Sequence, residues 1–144
     1  MKSVILATFA LFTTAALALT LKEQKQWKAW QEELKSSHYV EQVKKKCGFE
    51  IPLTMEEKFV TPFMAANTSA SAYCETPIST ISGMCDDETS KAAIKKNIKK
   101  AECKLGKEKE VAFKLSGGTF TMTVGLGAGN LDEKAKEWLE NNLQ

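Results

Sequence analysis

The spacing of apolar positions divides the chain into a helical part and a strand part. Between residues 22 and 46 apolar side chains recur at helical spacing as Trp27, Trp30 and Leu34. After Ser36-Ser37 they recur in a new phase as Tyr39, Val40, Val43 and Cys47. The serines are good N-caps, so the pattern predicts two helical pieces with a break between them. Phe49, Ile51 and Leu53 then alternate with Glu50, Pro52 and Thr54. This predicts a short edge strand, because Pro52 has no amide to donate to a ladder. Met55 to Phe63 reads as a helical turn or a loop. From Ser69 to Cys85 the positions Tyr73, Ile78, Ile81 and Met84 suit a helix, with Thr76-Pro77 placed to restart it as N-cap and first residue. Asp86-Asp87-Glu88 opens the next helix, over about 88–100, with negative charge at the end its dipole favours.

Beyond that helix the period falls to two. Cys103 and Leu105 begin a strand, Gly106-Lys107 marks a turn, and Val111, Phe113 and Leu115 alternate with polar or small residues. Ser116-Gly117-Gly118 signals a hairpin, and Phe120, Met122, Val124 and Leu126 form the returning strand. Gly125 to Gly129 leads out of the sheet. Asn130 with Glu133 has the spacing of a capping box before a last helix striped by Leu131, Ala135, Trp138, Leu139 and Leu143. The expected fold is α+β, with N-terminal and central helices packed on a three- to four-stranded antiparallel sheet, a C-terminal meander and a final helix.

Composition adds the compartment. In a chain of 144 residues, Lys2 precedes an apolar run from Val4 to Phe12, and Ala16-Leu17-Ala18 has the small-x-small pattern of a signal-peptidase site. Residues 1–18 therefore read as an export signal, leaving one domain over residues 19–144. No later segment has the length and apolarity of a membrane span. In an exported chain the four cysteines, Cys47, Cys74, Cys85 and Cys103, read as two disulfides. Cys74 and Cys85 are too far apart on one helix to be joined, about 16 Å by the helical rise. The pairing favoured by position is Cys47–Cys74 with Cys85–Cys103, the latter stabilising the domain by roughly 3 kcal/mol.

Candidate chemistry is sparse. His38 is the single histidine, and all 20 basic residues are lysine, so the side chain best suited to bidentate anion recognition is missing. No paired-cysteine zinc pattern and no hydrolase signature is present. The adjacent carboxylates Glu32-Glu33, Glu56-Glu57, Asp86-Asp87 and Asp132-Glu133 belong to no motif. The Gly125–Gly129 run lacks the parallel βαβ context of a nucleotide site and reads as a strand-to-helix turn. Asn67-Thr68-Ser69 is a glycosylation acceptor pattern that matters only in a eukaryotic source.

Charge is more telling. Between Lys91 and Lys114 nine lysines face three glutamates, a local balance of +6, which leaves −5 on the rest of residues 19–144. Lys91, Lys95, Lys96, Lys99 and Lys100 are the candidate face for an anionic partner, and Trp27 with Trp30 a candidate aromatic contact if exposed. The sequence thus predicts a small exported, secreted or periplasmic, non-enzymatic binding protein without cofactor or metal. Its expected partner is a protein or an anionic component of the cell envelope, and nucleic acid is disfavoured. The runner-up is a secreted effector or inhibitor of a foreign protein.

Overall fold

The computed structural model describes residues 18–143. The predicted export signal falls outside these residues except for Ala18. The order is α1 (Leu21–Lys35), α2 (His38–Cys47), β1 (Leu53–Met55), a 3-10 turn (Glu57–Phe59), α3 (Val60–Ala65), α4 (Ala70–Met84), α5 (Glu88–Asn97), β2 (Lys100–Leu105), β3 (Val111–Ser116), β4 (Thr119–Val124) and α6 (Leu131–Asn142). None of these helices is long and apolar enough to cross a membrane.

Local chemistry sets most of the boundaries. Thr20 and Glu23 form a reciprocal capping box at α1. Ser37 caps α2 through Tyr39 N–H, and the chain breaks at Ser36-Ser37 as the phase change requires. Gly48, at φ 79°, ends α2 in the left-handed conformation. Asp87 caps α5 by accepting from Ser90 N–H at 2.7 Å. At α6 the expected capping box does not form: Asn130 is itself left-handed, at φ 55°, and makes no side-chain cap bond. With Asn130 in that conformation its side chain is not presented to the first helical amides.

Pro77 does not restart α4, which runs unbroken through it. Thr76 Oγ1 donates to the Ala72 carbonyl and Ser79 Oγ to the Thr76 carbonyl, so hydroxyls on both sides of the proline engage carbonyls that precede it. Burial of Cys74, Pro77, Ile78 and Ile81 on one face holds the helix together.

The sheet is mixed and has the order β1-β2-β4-β3. β1 is the short edge strand foreseen around Pro52. The β3–β4 hairpin is antiparallel, with Gly117 and Gly118 both at positive φ, as a tight two-residue turn demands. The meander, however, is not formed. β2 pairs parallel with both β1 and β4 instead of antiparallel with β3. The five residues 106–110 carry the chain across the end of β4, a span of two strand spacings, about 10 Å. Gly106 N–H donates to the Val124 carbonyl at 2.9 Å and Gly125 N–H to the Glu110 carbonyl at 2.9 Å, fixing this crossing.

Helices cover one face of the sheet, as expected. Ala101, Cys103, Phe120, Met122 and Val124 point into a core shared with Phe59, Phe63, Ile78, Ile81 and Leu139. The disulfides are Cys47–Cys85 and Cys74–Cys103, correcting the favoured pairing. The cause is the alignment of α2 with α4. Gln42 lies by Ser82 and Lys46 by Asp86, so the two helices run in the same direction with a shift of 40 residues. Cys47 therefore arrives at Cys85 and stands one long helix segment, about 16 Å, away from Cys74.

Candidate functional site

The outer face of the sheet is built by the residues that alternate with the core positions. Across the strands, Lys100, Thr119 and Ser116 form one row. Thr54, Glu102, Thr121 and Lys114 form a second, and Lys104, Thr123 and Ala112 a third. Neighbouring side chains in a row stand about 5 Å apart. Three threonines thus run down β4, with Lys100 and Lys104 on one side and Lys114 on the other. The lysines are exposed and the threonines half-buried between them.

Glu102 is the only carboxylate among the β2, β3 and β4 residues of this face. It pairs with Lys100 at 2.9 Å. The hydrogen bond from Lys100 holds its carboxyl below the usual range, and the charges of Lys100 and Lys104 add to the effect. Lys104 and Lys114 form no ion pair among the described residues. The Glu110 carboxylate also reaches one end of this face, beside Gly106 and Thr123, so the face carries a modest excess of positive charge on a hydroxyl-rich surface.

The lysines singled out in the sequence are divided by the fold. Lys91 turns back to Glu88 at 3.6 Å. Lys95 and Lys96 lie exposed at the end of α5, where Lys99 donates to the Lys95 carbonyl. The Lys99 backbone N–H donates to the Gly118 carbonyl at 2.7 Å, setting that residue beside the hairpin tip. Only Lys100 of the five belongs to the sheet face. The sequence counted Lys104 and Lys114 in the basic stretch without separating them, although their two-residue alternation with Cys103 and Phe113 places them outward.

The other candidates fall elsewhere. Trp30 is buried and Trp27 half-buried against the same core. His38 is exposed in the first turn of α2, and its side-chain partner is Gln42, at 2.7 Å. Among the described residues no group of histidine, cysteine and carboxylate side chains is arranged to hold a metal ion. The glycine run spans the turn between β4 and α6, with Lys109 N–H donating to the Leu126 carbonyl at 2.8 Å. Asn67 is exposed just beyond α3.

Two carboxylate pairs, Asp86-Asp87 and Asp132-Glu133, meet around a groove of about 770 Å³ between α4, α5 and α6. The first pair is engaged within the chain, whereas Asp132 and Glu133 form no ion pair among the described residues. Asp86 pairs with Lys46 at 3.0 Å, Asp87 caps α5, and Glu140 on the same rim pairs with Lys136 at 3.8 Å.

A further polar cluster was not legible in the sequence, because it joins residues 38 apart. Ser71 donates to Glu33, Ser69 and Ser71 share a hydrogen bond at 2.8 Å, and Glu75 lies close by with Ser37 as its hydrogen-bond partner. Desolvation pushes the Glu75 carboxyl above its ordinary value, and the nearby charge of Glu33 pushes it the same way. The cluster ties α1 and the cap of α2 to α4.

No protein-family model, curated protein or solved structure matches the chain.

Proposed function

We propose that this is a small exported, non-enzymatic binding protein whose working surface is the outer face of the sheet, and that the surface receives an anionic partner. The observation that carries the reading is the row Thr119, Thr121 and Thr123, flanked by Lys100, Lys104 and Lys114 and opposed by Glu102 and, at one end, by Glu110. Lysine ammonium groups supply long-range attraction, and threonine hydroxyls donate and accept hydrogen bonds at close range. Helices pack the opposite face, so the surface is rigid before it meets a partner, which reduces the ordering cost of binding. Two disulfides fit an oxidising compartment and support a secreted or periplasmic setting. The position of His38, facing an amide, supports binding over catalysis.

Retention of residues 19–144 on dextran sulfate tests the reading. Salt should weaken retention steeply. The pair Lys104→Glu and Lys114→Glu should lose it, while Lys25→Glu with Lys28→Glu, an equal charge change on exposed positions of α1, should keep most of it. Equal loss in both variants would reduce the effect to net charge and refute the assigned face.

A further inference from the structure

The free edge of β3 carries a second kind of recognition. β3 is the outermost strand of the order, and among the described residues no strand pairs with its far side. The opposite edge, β1, is only three residues long. β3 offers six, Val111–Ser116. Ser116 and Thr119 close the two-residue turn, and in such a hairpin the closing residues form a hydrogen-bonded pair. Counting by twos gives Lys114–Thr121 and Ala112–Thr123 the same status. The bond from Gly125 N–H to the Glu110 carbonyl continues the series. The amides and carbonyls of Val111, Phe113 and Leu115 consequently point away from β4, onto the open edge.

The side chains of those three residues lie half-buried on the helix side of the sheet. Next to them a groove of about 460 Å³ runs between β3 and α6, lined by Val111, Phe113, Lys134, Glu137, Trp138 and Asn141 among others. Its floor is aromatic: Phe113 stacks on Phe120 at 5.7 Å, and Trp138 lies 6.2 Å from Phe113 and 5.7 Å from Phe120. Unused backbone groups beside a groove with an aromatic wall and a polar rim are what an extended peptide needs to join a sheet. Its main chain bonds to the edge and alternate side chains enter the groove. Charge on the flanks selects the peptide. Lys114, on the outer face, and Lys134, on the groove wall, form no ion pair among the described residues, and Glu137 is the single acid in the groove.

We propose that β3 accepts an extended segment of an acidic partner protein as an added strand. Apolar residues of the segment enter the β3–α6 groove, and the carboxylates between them meet Lys114, the outer-face lysine that stands on β3 itself. The proposal rests on the reading of that face as an anion-binding surface and names its partner as a protein.

The probe is a blocked peptide of alternating valine and glutamate, titrated calorimetrically into residues 19–144. Binding is expected, and it should fall at least about tenfold, the equivalent of about one hydrogen bond, in Val111→Pro. That substitution removes a donor from the open edge and none from the β4 ladder. Should the variant not fold, the wild-type protein is titrated with the same peptide N-methylated at alternate amides, where the same loss is expected. A peptide with lysine in place of glutamate should bind at least about tenfold more weakly, the change of one charge-assisted contact. No binding of the glutamate peptide, binding indifferent to N-methylation, or a dimer through β3 that excludes the peptide would each overturn the proposal. Dextran sulfate binding separates the two readings: if it persists in the wild type when the peptide fails, the anion-binding face stands and strand addition falls.

Discussion

The carbonyl oxygen of Lys107 stands 1.5 Å from the point that a Cβ on Gly125 would occupy. The two residues meet because the 106–110 segment passes over the end of β4 on its way from β2 to β3. That passage is what makes the sheet mixed and puts β3, with its open edge, on the outside. Gly125 is thus the residue that permits the topology, through the absence of a side chain.

Gly125→Ala should therefore be severely destabilising, by about 3 kcal/mol or more, since the obstacle is backbone and has no rotamer to yield. Gly129, where an added Cβ meets nothing within 4 Å and φ is not positive, is the control. Gly129→Ala should be neutral or stabilising by up to about 1 kcal/mol. Urea unfolding of the two variants measures both, and similar midpoints would contradict the crossing.

Disulfide mapping checks the helix alignment. Cleavage at lysine leaves Cys74 and Cys85 on one peptide, so a further cut at Glu75 is required before mass analysis. The expected linked peptides join Cys47 to Cys85 and Cys74 to Cys103. Replacing Cys47 and Cys85 together by alanine should cost roughly 2–5 kcal/mol, because their link closes a separation of 38 residues.

Glu75 gives a pH signature of definite sign. Burial raises its carboxyl above 4.5, so the folded chain holds the proton more tightly than the unfolded one. Its favourable contribution is complete below pH 4.5 and is lost as the pH rises through the folded value. Glu75→Gln never ionises and still accepts from Ser37. Its Tm should exceed that of the wild type at neutral pH, and the difference should close as the pH falls below 4.5. Glu23, Glu50, Asp87 and Glu102 work in the opposite sense. Their values are lowered, so they stabilise the fold above the ordinary carboxyl range and stop doing so in acid. The difference between the two proteins, and not either melting curve alone, isolates Glu75. A constant offset at all pH values would contradict the assignment.

What could be read in the sequence was what neighbouring residues decide. The break at Ser36-Ser37, the Gly117-Gly118 hairpin, the edge strand after Pro52 and the one-sided packing of the helices all follow from spacing, caps and turn chemistry. What could not be read depends on which elements meet. Five residues after Leu105 suffice either for a turn back onto β2 or for a step over β4, and only tertiary pairing chooses between them. The cysteine partners depend on the 40-residue shift between α2 and α4, which no local pattern records. The cationic surface was legible as a stretch of lysines but not as a face. The stretch covers α5, two strands and a loop, and the sheet selects Lys100, Lys104 and Lys114 from it.

The most direct test of the central claim is amide chemical-shift mapping of ¹⁵N-labelled residues 19–144 during titration with dextran sulfate. The largest shifts are expected at Lys100, Lys104, Lys114, Thr119, Thr121 and Thr123, fading as salt is added. Shifts concentrated on α1, or around the groove between α4, α5 and α6 with the sheet face silent, would contradict it.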